Sequence, residues 1–301
     1  MTLRVLASYH YHRDTDLAAL VHDLGGNVDL FADSGAFSAA TTGVTIKLGD
    51  YAAWLRHWQP LITVAATLDV IGDHRATAAN LDRLTEAGCS VLPVFHTGEP
   101  WDVLEGLCAQ HRYIALGGLA LHAAGAAKQK ALMAWLIRAF KVARPYGTAL
   151  HGFGLTSANL VRHLPFYSID SSSYTMGQRF GLVYLWDART LRMRSLFFRN
   201  PADVLPNAAL VRAHGLPPHR LLDRNFMRPA AGSTGADRDL LTAGCARAYQ
   251  FMEGSLTTRH RVPAPPLPRA ADQGTKVYLA LSGARDQDIA PLRMLLEEGV
   301  R

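Results

Sequence analysis

Three apolar runs far apart in this sequence stop at the same kind of residue. Leu30-Phe31-Ala32 runs into Asp33 and then Ser34-Gly35. Leu61-Ile62-Thr63-Val64-Ala65-Ala66-Thr67-Leu68 runs into Asp69, and Phe166-Tyr167-Ser168-Ile169 runs into Asp170 and three serines. A short apolar run bounded by turn-forming residues reads as a buried strand. In a parallel sheet built from strand-helix units, all carboxyl ends lie on one rim, so three such strands would deliver three carboxylates to one pocket.

The rest of the chain keeps that rhythm. Strands are expected near Arg4–Ser8, Val28–Ala32, Ile62–Leu68, Ser90–Phe95, Tyr113–Leu116, Thr148–Phe153, Phe166–Ile169 and Lys276–Leu281. Amphipathic helices fit between most of them, over Asp50–Gln59, His74–Ala87, Trp101–Gln110 and Lys128–Ala143, with a small one near Ser157–Leu164 and a last one over Asp288–Glu298. Alternation of this kind gives an α/β protein, specifically a (β/α)8 TIM barrel, which takes ~250 residues. The chain has 301 residues, which leaves room for one extra segment.

That segment falls between the seventh and eighth strand-helix units. Residues 1–175 and 271–301 are read as the barrel, and 176–270 as an insertion with a hairpin near Leu182–Phe198, a helix near Asp237–Met252 and a proline-rich linker over Val262–Pro268. Residues 175–270 hold fourteen Arg, no Lys and six Asp or Glu, a net charge of +8, whereas the remainder is slightly acidic. Clustered guanidinium groups are an electrostatic footprint for a polyanion, because they match phosphate geometry. Arg179, Arg192 and Arg194 are the expected phosphate contacts. A biased composition and a solvated face is the plainer account, and the asymmetry between insertion and barrel weighs against it.

Cys89, Cys108 and Cys245 stand singly, so neither a disulfide framework nor a cysteine-rich metal site is expected. No run of ~18 uncharged apolar residues is present, and the amino terminus does not read as a signal peptide. A soluble, cytoplasmic protein without membrane contact is expected, with assembly into a homo-oligomer left open.

Several motifs, in register along the barrel, resemble the tRNA-guanine transglycosylases and their bacterial and phage relatives that exchange guanine for a 7-deazaguanine in DNA. Asp33-Ser34-Gly35-Ala36-Phe37 is similar to that family's Asp-Ser-Gly-Gly-Phe, and Leu68-Asp69 to its base-reading aspartate. Ala115-Leu116-Gly117-Gly118-Leu119-Ala120 is similar to its Ile-Gly-Gly-Leu-Ala. His151-Gly152-Phe153-Gly154 resembles its Met-Gly-Val-Gly, and Ile169-Asp170 the strand end that carries its nucleophile. The zinc-binding cysteines of the tRNA enzymes have no counterpart here, so no metal and no cofactor are expected.

The resemblance implies that Asp170 attacks C1′ of a nucleotide while Asp33 serves as general acid and then general base. It implies that Ser34, Asp69, His96, Gly117, Gly118, Leu119, His151 and Gly152 meet the base and that Phe37 stacks on it. His96 stands in the place of a base-reading glutamine. Ala123 stands where the bacterial tRNA enzymes carry a glutamate facing an aminomethyl group, so a neutral 7-cyano base is expected instead. Two carboxylates on different strands suit such a reaction in their own right, since glycosidic cleavage passes through an oxocarbenium-like state that one stabilises while the other handles the proton. Each has a plainer alternative: Asp33 as a turn-former, Asp170 as a helix cap. The expected partners are DNA, or alternatively tRNA, and a free 7-deazaguanine base. A catalytically silent nucleic-acid-binding barrel is the reading from another class. His10 and His12, after the first strand, are further candidates for the pocket wall.

Overall fold

A computed structural model describes residues 2–119, 125–155, 157–228, 234–267 and 273–298. Eight strands form one parallel sheet. They are β1 (Leu3–Ser8), β2 (Val28–Asp33), β3 (Ile62–Ala65), β4 (Val94–His96), β5 (Tyr113–Gly117), β6 (Ala149–Gly152), β7 (Ser168–Ser171) and, after the two-stranded hairpin β8 (Leu182–Asp187) and β9 (Arg192–Phe197), β10 (Lys276–Ala280). Their order is β3-β2-β1-β10-β7-β6-β5-β4, so the last strand in sequence inserts between β1 and β7.

The sheet curls until its two edges meet. Ala66, just past β3, bridges Leu92, just before β4. Leu92 N–H donates to Ala65 O at 2.7 Å and Thr67 N–H to Leu92 O at 2.9 Å. On the other side of β4, Pro93 accepts Ala115 N–H at 2.9 Å but has no N–H to give back to β5, which is why β4 begins at Val94 rather than at Ser90 as the sequence suggests. The arrangement is compatible with a (β/α)8 barrel.

Side chains alternate along each strand, as the pleat requires. Leu6, Phe31, Val64, Val94, Ala115 and Tyr278 face inward and form a compact inner cluster. Their neighbours Val5, Leu30, Leu116, Leu150, Ile169 and Leu279 face outward into a larger core shared with the helices. The flanking helices Leu48–Trp58, His74–Glu86, Trp101–Gln110, Ala126–Ala143 and Asp286–Glu298 lie within a few residues of their expected bounds. Asp73 caps the second of these by accepting from Arg75 N–H and Ala76 N–H, both at 3.0 Å. A further short helix, Leu17–Asp23, lies between β1 and β2 and is capped by Asp16, which accepts from Ala18 N–H and Ala19 N–H.

The connection from β7 to β10 carries the hairpin, several short helices and one long helix, Thr234–His260. At 27 residues it exceeds the expected Asp237–Met252. Its amphipathic signal is weak because it is enclosed on several sides: Leu241, Cys245, Ala246, Ala248, Tyr249, Met252 and Leu256 are all buried. It packs against β8, β10 and the helix Asp286–Glu298. Trp186 Nε1–H of the hairpin donates to Ser255 Oγ at 2.9 Å. At the amino end of the sheet, Glu253 accepts Val277 N–H at 2.8 Å and pairs with Arg4, which also meets Asp29 at 3.4 Å. Val262 and Leu267 of the proline-rich stretch pack on the inner cluster and cover that same end. Among the described residues no helix is long and apolar enough to cross a membrane.

Glu253 therefore ties the long helix to both β1 and β10. Glu253→Ala should lower the unfolding free energy by about 2 to 4 kcal/mol, since it removes one of the two carboxylates that meet a largely buried guanidinium and leaves a strand N–H without its acceptor. Glu253→Gln, which keeps an acceptor, should cost less. Urea denaturation of the three proteins checks the order, and equal stability of all three would show that the helix is held by apolar contact alone.

Candidate active site

A cavity of about 650 Å³ opens at the carboxyl ends of the strands. Asp33, Phe37, Asp69, His96, Glu99, Gly117, Gly118, Leu119, Phe153 and Asp170 are among the residues that line it. The three aspartates that end apolar runs in the sequence thus share one wall.

Asp33 is the last residue of β2. Its Oδ2 accepts Gly35 N–H at 3.0 Å, closing a turn that only glycine takes comfortably: φ at Gly35 is 74°, and a Cβ there would sit 2.6 Å from His10 Cβ. Burial, followed by the nearby charges of Asp69 and Asp170, pushes the Asp33 carboxyl up to about 7, against the turn N–H groups that favour its anion.

Asp69 is held from two sides. Ser34, fully buried behind the wall, donates its hydroxyl to Asp69 Oδ1 at 3.4 Å, and His96 Nε2 lies 2.7 Å from Oδ2. The other ring nitrogen of His96 is 3.2 Å from Glu99 Oε1. Burial alone would lower the His96 pKa, but the hydrogen bonds and charges of Asp69 and Glu99 prevail and raise it to about 9, so the ring is an imidazolium at neutral pH. Gly117 exists for this ring: a Cβ at 117 would stand 2.5 Å from His96 Cδ2. Gly118 has φ 75° and no room for a Cβ beside Thr97 Oγ1.

Asp170 sits on β7 and receives Gly154 N–H on Oδ1 at 2.8 Å. His151 Nε2 is 3.3 Å from the same oxygen. Both groups address Oδ1, which leaves Oδ2 for the cavity. Phe37 stands on the rim with half of its surface exposed (50%).

His151 and Gly152, expected at the base, lie outside the cavity wall. His151 is fully buried behind Asp170, with its ring 4.6 Å from that of Phe31 and 4.5 Å from that of Phe153. Gly152 faces outward, where a Cβ would meet Leu155 and Phe166 at 3.1 Å. Phe153, absent from the expected set, lines the cavity instead. The period of two in Ala149, His151 and Phe153 was the available signal. Glu99 joins the wall through an i, i+3 contact with His96. Asp73, the other acid near this loop, is occupied as a helix cap.

Of the three arginines expected to meet phosphate, only Arg179 is near this end, exposed in the short helix Gly177–Phe180 that follows β7. Arg192 and Arg194 line a shallow cleft with Arg162 and Thr190 at the opposite end of the hairpin, beside the end of the long helix, where Arg259 Nε–H donates to Arg162 O at 2.7 Å. Arg194 is bound to Asp187 at 2.8 Å. His12 is fully buried, and burial lowers its pKa. Ala123 lies outside the described residues. Among the described residues no group of three or more His, Cys, Asp or Glu is arranged to hold a metal ion. No family model matches the chain, and no curated protein matches it.

Asp33 and His96 each make stability fall as pH rises. Asp33 moves from 3.8 unfolded to about 7 folded, so its proton stabilises the native state fully below pH 3.8 and that stabilisation is lost towards pH 7. His96 moves from 6.5 to about 9, so its contribution is complete below pH 6.5 and is lost as pH rises through 9. Unfolding free energies should decline between pH 6.5 and 9, whereas below 6.5 the loss at Asp33 is opposed by histidines that burial holds neutral, among them His12 and His151. Asp33→Asn should make stability rise more steeply with pH below 6.5, and His96→Gln should flatten the upper part. A wild-type curve flat above pH 6.5 would mean that His96 is neutral in the native state.

Proposed function

We propose that the chain is a base-exchange transglycosylase that replaces guanine in DNA by a 7-deazaguanine. The single observation that carries this reading is the pairing, in one cavity, of a carboxylate with an unencumbered oxygen and a carboxyl poised near neutrality. Asp170 Oδ2 attacks C1′ as the bond to guanine N9 breaks, giving an aspartyl-nucleotide ester. The departing guanine takes its proton from Asp33. The incoming base returns a proton to Asp33 as its nitrogen attacks C1′, and the Asp170 carboxylate is released. A group with a pKa near the working pH serves both directions.

On this reading Asp69 and the imidazolium of His96, with the backbone at Gly118 and Leu119, read the edge of the base, Ser34 holds Asp69 from behind the wall, and Phe37 covers the face of the base. The curled sheet is a closed (β/α)8 barrel with residues 176–270 inserted between the seventh and eighth units. Arg179 meets phosphate near the cavity, and Arg192 and Arg194 meet it further along the flank. The resemblance of the strand-end motifs supports the family, and the lack of a cysteine zinc site supports DNA over tRNA.

Trapping a covalent adduct tests the reading. The wild-type protein incubated with guanine-containing DNA and with tRNA should yield a denaturation-resistant adduct with DNA. Asp170→Asn, nearly isosteric, should abolish adduct and exchange with no change in melting temperature. An adduct with tRNA alone would move the substrate, and an active Asp170→Asn protein would remove Asp170 from the chemistry.

The base that enters follows from the charges. Glu99 is already answered by the His96 imidazolium, so an aminomethyl cation would enter without a carboxylate of its own, at a desolvation cost of several kcal/mol. In a competition between free bases the 7-cyano compound should be incorporated ahead of the 7-aminomethyl one. The reverse preference would mean that Glu99 turns from His96 towards the ligand.

A further inference from the structure

We infer that a buried hydrogen-bond chain, Tyr113 to Ser168 to His151, locks one tautomer of His151 and thereby orients Asp170, which makes His151 a positioning residue for the nucleophile. Its kinetic consequence rests on the function proposed above; its tautomer does not. The three residues come from adjacent strands β5, β7 and β6 and point into the sheet's interior. His151 and Ser168 are fully buried and Tyr113 nearly so. Tyr113 OH bonds Ser168 Oγ, and Ser168 Oγ is 2.5 Å from His151 Nδ1. His151 Nε2 faces Asp170 Oδ1 at 3.3 Å.

The direction of donation is decided where the chain meets Asp170. If Tyr113 donates to Ser168 and Ser168 donates to Nδ1, the imidazole carries its proton on Nε2, facing a carboxylate oxygen at 3.3 Å. In the opposite direction Nδ1–H donates to Ser168 and Ser168 to Tyr113, and a bare Nε2 lone pair faces the carboxylate. Burial lowers the His151 pKa and raises that of Tyr113 well above its usual value, which keeps the imidazole neutral and the phenol protonated. Gly154 N–H and His151 Nε2–H then converge on Oδ1, and Oδ2 keeps its lone pairs for the cavity.

Nitrogen NMR of histidine-labelled protein, with His151 assigned by comparison with His151→Gln, reads the tautomer directly. The wild type should show Nε2–H and an unprotonated Nδ1, and Ser168→Ala should show a mixture of both tautomers. In single-turnover adduct formation, Ser168→Ala should be at least tenfold slower, while affinity for the free base and the melting temperature stay at wild-type values. Tyr113→Phe should lie between, because Ser168 still donates to Nδ1. An Nδ1–H tautomer in the wild type would overturn the inference, as would a Ser168→Ala rate equal to wild type or a loss of rate that only tracks a loss of stability. Should the wild type form no adduct with any nucleic acid, the proposed function fails and the nitrogen spectrum still decides the chain.

Discussion

Crowding of carboxylates at one end of a curled sheet is the constraint on which the rest of this structure depends. Asp33, Asp69, Glu99 and Asp170 face a single cavity, and like charges in a partly dehydrated space cannot all ionise cheaply. The protein answers each in a different way. Asp33 takes up a proton near neutrality, Asp69 and Glu99 share the His96 imidazolium, and Asp170 receives a backbone N–H from Gly154. Because the answers differ, the four groups are left in different bonding states, and carboxyls so differentiated are the kind that can take different roles in acid–base chemistry.

The backbone had to be shaped to permit these answers. Gly35 turns the chain back so that its N–H reaches Asp33, and it leaves space for His10. Gly117 leaves the volume in which the His96 ring lies against β5. Glycines beside a presumptive ligand pocket invite the reading that they clear space for a ligand. Here the space at 117 and 118 is taken by the protein's own His96 and Thr97, and the ligand's share is the volume beyond them.

Strand ends were legible because a buried strand in a parallel sheet is a near-continuous apolar run and its stop at Asp33, Asp69 or Asp170 is abrupt. Hairpin β8–β9 was legible from its position between turns. Pro93 shortened β4 in a way that strand propensity does not foresee, and the long helix hid its ends because burial on several faces erased its periodicity. The facing of His151 was readable from the alternation of Ala149, His151 and Phe153, but nothing in the sequence hints at the hydrogen-bond chain behind it. Cross-strand partners such as Ser168 and Tyr113 are 55 residues apart, and only the sheet order brings them together.

Charge is sorted along the molecule as well as within the site. The helix Thr234–His260 has 27 residues, and at ~1.5 Å per residue it spans roughly 40 Å from the cavity end to the amino end of the sheet. Arg192, Arg194 and Arg259 gather towards its far end, with Arg162, while the cavity end holds the carboxylates. An anionic group would be repelled from the cavity and drawn to the flank, whereas a neutral, N–H-rich planar group meets acceptors in the cavity and finds no opposing field. On the function proposed above, such a separation lets the phosphates of a polymer and a base turned out of it be met at different places, without any single residue having to satisfy both demands.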